Sequence, residues 1–226
     1  MVSSPSFFVR IAELNDKARS SEDKKRLAAL ADTVMTTLDV IVRRTEEQVD
    51  TSAETLQSIL SAAAEEDGEF LVPLSAAKAL ALRAAVLERA PVLDDGFLST
   101  VNAWMRKSEE TGLSGMVTML QNVLQQYAST VLMRNPALTA TSTPETIADL
   151  LDKIMATDPA TWDAAITSEL GRADAVCDVE ELLGEVQARI ETIVLGQGAG
   201  SISQQVQAEY LRELTDRIQA STVVAE

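Results

Sequence analysis

The stretch Leu27–Val49, LAALADTVMTTLDVIVRRTEEQV, spaces its apolar residues for a helix and not for a strand. Laid out at about 100° per residue, Leu27, Ala31, Val34, Leu38, Ile41, Val42 and Val49 fall on one side. Ser21 opens this helix, which is expected to reach about Val49, roughly 40 Å away at the usual rise per residue. Thr45 falls in the middle of the apolar stripe. Arg43 and Glu47 point the other way, one turn apart, where an exposed ion pair contributes only about 0.3–0.5 kcal/mol. Arg44 and Glu46 lie on opposite borders of the stripe, where a neighbouring helix or a partner would meet them.

The same helical period runs through the rest of the chain, with caps that divide it into segments. A short helix is expected from Ser6 to Ala18. Thr51 and Glu54 read as a capping box for a third helix that ends at the turn Glu65-Glu66-Asp67-Gly68. Ser75 opens a fourth, which stops before Pro91. Asp94 or Asp95 caps a fifth, carrying Phe97, Leu98, Val101, Trp104 and Met105, and TGLSG ends it. Ser114 opens a sixth, running to about Met133. Thr143-Pro144 and Asp158-Pro159 have the form of an N-cap followed by proline at the first helical position. Asp178 with Glu181 caps a ninth, which ends at GQGAG, and Ser201 or Ser203 opens the last. The expectation is an all-α protein of about ten helices in an antiparallel bundle or array. The small, polar stretch RNPALTATST at 134–143 is expected to link two packed subdomains, 1–133 and 144–226.

Composition agrees with this reading. Apolar residues make up 46% of the 226, mostly Ala, Leu and Val, while aromatics are 4%. That balance supplies a core and favours helices over strands. The 35 acidic against 19 basic residues give a formal charge of −16. Such a field opposes non-specific binding to phosphate backbones and anionic membranes and suits basic protein partners. No run of apolar residues is long enough for a transmembrane helix. The opening MVSSPSFFVRIAELNDKA has one arginine ahead of Glu13 and Asp16, a poor signal or transit peptide.

The residue types also restrict the chemistry. The chain contains no histidine, which removes Ser-His-Asp and Cys-His catalysis and the usual zinc and di-iron sites. The single cysteine, Cys177, excludes an internal disulfide; it precedes a predicted N-cap, where a helix dipole would lower its pKa, but has no base to activate it. The paired acids at 46–47, 94–95, 109–110 and 180–181, and the run at 65–67, diverge by about 100° per residue when helical, so no doublet forms a two-carboxylate site alone. GQGAG lacks the spacing of a dinucleotide-binding loop and follows a helix. The basic groups at 24–26, 43–44 and 106–107 are not interleaved with aromatics, so no nucleic-acid stacking platform is expected. Trp104, Tyr127, Trp162 and Tyr210 read as core or interface anchors. The residues expected to bind a partner or pack between helices are Arg44, Glu46, Trp104 and Arg106. No catalytic residue, metal or cofactor is implied.

The order of several segments carries a resemblance. SFFVRIAELNDKA is followed by LDVIVRRTEEQ, then by LDDGFLSTVNAWMRKSEETGLSGMVTMLQNVLQQYAS, ETIADLLDKIMATDPATWDAAI and QQVQAEYLRELTDRI. Together these resemble a family of plant and algal chloroplast proteins labelled "endoribonuclease E-like", from about Ser6 to Arg217. The most specific pieces are VRRTEE, DDGFL and the LQ-x-VLQ-x-YAS pattern. The resemblance implies a soluble, all-helical stromal protein, placed at the stromal face of the thylakoid membrane without spanning it. It implies a non-catalytic auxiliary factor in photosystem II assembly or repair, docking on stromal loops of the complex. The ribonuclease label is not matched by any catalytic motif here. The alternative expectation is an auxiliary factor in chloroplast RNA metabolism that acts through protein partners, without direct nucleic-acid contact.

Overall fold

A computed structural model describes residues 5–66, 68–135, 141–196 and 200–223. Nine α-helices run through them: α1 Pro5–Lys17, α2 Ser21–Ala63, α3 Ala76–Arg89, α4 Asp95–Glu110, α5 Ser114–Leu132, α6 Ile147–Met155, α7 Trp162–Leu170, α8 Val179–Gly196 and α9 Ile202–Val223. Short 3₁₀ turns follow α3 and precede α7, and no strand occurs among the described residues. The all-α class is therefore as the periodicity requires.

The difference from ten helices lies in α2. Thr51 does not cap a new helix; its Oγ1 donates to the Glu47 carbonyl at 2.8 Å, and the helix continues to Ala63. A threonine inside a helix has this i−4 carbonyl available, so the side chain that would stop one helix is satisfied within another. A second expectation also fails: α6 begins at Ile147, capped by Thr146 and not by Thr143. Thr146 and Asp149 satisfy each other's backbone N–H groups in a capping box.

Other ends fall where the residue chemistry puts them. Asp94 is the N-cap of α4, its carboxylate accepting from the Phe97 N–H at 2.9 Å. Ser75, Asp158 and Ser201 accept from backbone N–H groups two or three residues on. Asp178 and Glu181 bond reciprocally at the start of α8. At the end of α4, Leu113 N–H reaches the Ser108 carbonyl and Gly112 N–H reaches Glu109. Gly112 has φ +73°, which this helix-terminating motif requires of the residue just past the end.

The chain divides into two compact units, Met1–Thr51 and Ser52–Glu226. In the first, Ile11 of α1 is buried, and Phe7 and Phe8 meet edge to face at 5.4 Å. Leu27, Ala31, Val34 and Leu38 of α2 are half-buried. The second unit has two apolar clusters. One runs from Leu56 to Tyr127 and includes Phe97, Leu98, Val101 and Leu120; the other runs from Ala128 to Ile218 and centres on Leu150, Ile154, Trp162 and Leu214. Helix α5 contributes to both, and Val206 of α9 packs against both. The stretch 134–143 lies inside this second unit, and 136–140 are outside the described residues.

Hydrogen bonds join the two clusters. Arg83 of α3 reaches across to the Ala156 carbonyl at 2.7 Å, and within the second cluster Ser129 of α5 donates to that of Met155 at 2.6 Å. Ser203 pairs with the Tyr127 hydroxyl at 2.7 Å, and its N–H donates to Asp95 at 2.9 Å. Helix α6 is buried over most of its length, so its two buried charges, Asp152 and Lys153, need partners. Lys153 pairs with Glu169 at 2.7 Å, and Asp152 with Arg189 at 3.1 Å.

Candidate functional site

Helix α2 departs furthest from what a folded chain does with apolar side chains. Every residue from Asp39 to Thr51 is exposed, including Ile41 at 53%, Val42 at 52% and Val49 at 51%. Thr45, expected to face inward, is exposed too, and its Oγ1 donates to the Ile41 carbonyl at 2.9 Å. The stripe is thus covered only up to Leu38, and the expected burial of its later part is not realised. Periodicity specifies which face of a helix is apolar; whether anything covers that face depends on residues far away in sequence. A shallow hollow of about 400 Å³ lies on this part of the helix, lined by Thr45, Glu46, Val49 and Asp50.

Arg44 and Glu46 are both exposed, as are Arg43 and Glu47, and no ion pair joins Arg43 to Glu47 among the described residues. Trp104 and Arg106 belong to the second unit. Trp104 is 37% exposed on α4, and Arg106, two residues on and turned to another side of the helix, is exposed too. The other three anchors behave differently. Tyr127, Trp162 and Tyr210 are buried, and Trp162 meets Tyr210 edge to face at 5.1 Å. The expected residues therefore fall into two pairs, one in each unit.

No constellation suited to catalysis forms among the described residues. No group of three or more acids or Cys is placed to hold a metal. Cys177 is buried and free, and burial together with the Glu181 and Asp178 carboxylates pushes its thiol up. That is the reverse of the helix-dipole expectation, because burial first, and then the two carboxylates at the helix start, disfavour the thiolate. Of the GQGAG loop, 197–199 lie outside the described residues, as does Asp67 of the acidic turn.

Two further hollows of 400 Å³ or more lie among the described residues of the second unit. One, of about 630 Å³ between α7 and α9, is lined by Ala164, Thr167, Ser168, Ala220 and Ser221, with the Arg217–Asp163 ion pair at 2.8 Å on its wall. The other, of about 400 Å³ between α4, α5 and α9, has Met105, Leu124 and Val206 beside Glu209 and Glu213. Neither brings a nucleophile and a base together.

What sequence reading missed is the exposure of Ile41, Val42 and Val49, which the stripe had assigned to the interior. Comparison with protein-family models, with curated proteins and with solved structures gives no match.

Proposed function

We propose that this chain is a non-catalytic docking protein that binds a partner protein through the exposed half of α2. One observation carries the reading: thirteen consecutive helical residues, Asp39–Thr51, stay exposed although they include Val40, Ile41, Val42 and Val49. Val42 and Val49 lie on one side of the helix with Ile41 at its border, and an exposed apolar stripe on a folded protein marks an interaction surface. The absence of histidine and of converging acids among the described residues supports a binding role over an enzymatic one.

The resemblance supplies the place and partner in this proposal. The chain acts at the stromal face of the thylakoid membrane, on stromal loops of photosystem II, during assembly or repair. Among the described residues no helix is long and apolar enough to cross a membrane, which supports attachment through protein contacts. The test is native isolation of the tagged chain from gently solubilised thylakoids, beside a Val42→Glu/Val49→Glu variant. Wild type is expected to co-migrate with photosystem II subunits and the variant to be lost from them. A chain that never co-migrates with that complex refutes the reading, and RNA-processing proteins in its place would select the alternative.

A further inference from the structure

The exposed half of α2 carries a pattern that specifies its partner. From Met35 onward one face reads, at spacings of three and four, Met35, Leu38, Val42, Thr45, Val49, apolar except at Thr45. This is the a/d seam of a two-stranded coiled coil. The register is one the helix already uses for packing, since its next members, Ser52, Leu56, Ile59 and Ala63, are the buried ones. Met35, Val42 and Val49 are each about half exposed, at 54%, 52% and 51%. Leu38 between them is half-buried, so the fully open part of the seam runs from Val42 to Val49, about 11 Å or two helical turns, with Met35 exposed one heptad before it.

The seam's borders differ in charge. The position following each d residue is acidic at three successive heptads: Asp32, Asp39 and Glu46, spaced seven apart and all exposed. The opposite border carries Val34, Ile41 and Gln48. Glu46 thus lies beside the seam, while Arg44 turns further back, about 130° from its mid-line.

We propose that the seam binds an amphipathic helix from a different protein, one with basic residues at heptad spacing along its apolar stripe. The charge pattern argues against a second copy of this chain. In an antiparallel pair the acidic borders would face each other, and in a parallel pair they would face Val34, Ile41 and Gln48. Neither orientation gives Asp32, Asp39 and Glu46 a positive partner, and each copy brings a formal charge of −16. A basic border satisfies all three in either orientation.

This inference rests on the docking role proposed for α2 and names the chemistry of its partner. The probes are two labelled three-heptad peptides with valine and leucine at the seam, one with lysine along both borders and one with glutamate. A scrambled lysine peptide of the same composition reports binding to acidic surface in general. Fluorescence anisotropy at about 150 mM salt gives affinity, and circular dichroism reports helix formation by the bound peptide.

The lysine peptide is expected to bind at least about tenfold more tightly than both others, which is the combined effect of three exposed charge pairs. Asp32→Lys/Asp39→Lys/Glu46→Lys is expected to reverse the preference, and Val42→Glu/Val49→Glu to abolish binding. Equal affinity for the two seam peptides, equal affinity for the scrambled one, or no binding overturns the proposal. So does a dimer in sedimentation that Val42→Glu/Val49→Glu dissolves. If those peptides fail while Val42→Glu/Val49→Glu still releases the chain from its native complex, docking through α2 stands and only the basic helix is refuted. If the variant stays in the complex, docking through α2 itself fails.

Discussion

The ion pair between Asp152 and Arg189 gives a sharp test of how the second unit is held together. Their side chains are 1% and 5% exposed and meet at 3.1 Å. Asp152 also accepts the Asn135 N–H at 2.7 Å, and Arg189 donates to the Leu132 carbonyl and to Glu185 at 3.3 Å. Arg189→Met leaves a buried carboxylate opposite no cation, and loss of one partner in such a pair costs about 3–5 kcal/mol. Asp152→Asn leaves the guanidinium with Glu185 alone, so its cost is expected near 3 kcal/mol, at the lower end of that range. The double variant has no buried charge left at this point, and the asparagine oxygen still accepts from Asn135. The Leu132 carbonyl loses its donor, at about 1–3 kcal/mol, while Glu185 keeps its pairing with Arg134 at 3.2 Å. The double variant is therefore expected to be no less stable than either single one, with a coupling energy of several kcal/mol. Urea unfolding followed by far-ultraviolet circular dichroism and by fluorescence of Trp162, buried in the same unit, measures all four proteins. Additive costs in the double variant would refute the claim that the pair is a mutually compensated unit.

Three further outcomes follow from local chemistry. Burial pushes the Tyr210 phenol far above the usual range, so above about pH 10 the unfolded chain releases a proton the folded chain keeps. Stability from this group is intact below about pH 10 and falls by about 1.4 kcal/mol per pH unit above it; Tyr210→Phe is expected to remove that part of the slope in urea titrations, leaving the smaller share of Tyr127, which burial shifts the same way. Asp94→Ala removes the cap of α4 and is expected to cost about 1 kcal/mol in chemical denaturation, with Asp94→Asn costing less. Alanine at Arg43, Arg44, Glu46 or Glu47 is expected to leave stability within about 0.5 kcal/mol, since all four are exposed, while Glu46→Ala alone weakens the lysine peptide.

The helical class was legible because it depends on short-range spacing, as were those helix ends whose chemistry closes within a few residues. Asp94, Asp158 and the Asp178–Glu181 pair act on N–H groups two or three positions away. Thr51 and Thr143 show the limit of the same method. A threonine hydroxyl serves a helix start or a helix interior, and the neighbouring residues that choose between them need not be local. The buried charges of α6 and α8 were not legible at all. Asp152 and Arg189 are 37 residues apart, and Lys153 and Glu169 are 16 apart. A charged residue within an apolar run signals that some partner is needed without saying which.

The candidate site was half legible for a related reason. Six of the thirteen residues from Asp39 to Thr51 are β-branched, a composition that gains little from helix propensity alone. Apolar spacing with weak propensity normally indicates a helix held by tertiary packing, and burial was the natural expectation. In the fold that packing is absent over this half of α2, while the seam register and the acidic border persist through it. A packing surface left uncovered by the described residues is what the proposed docking of another molecule requires. The heptad-spaced acids then indicate what charge that molecule must carry.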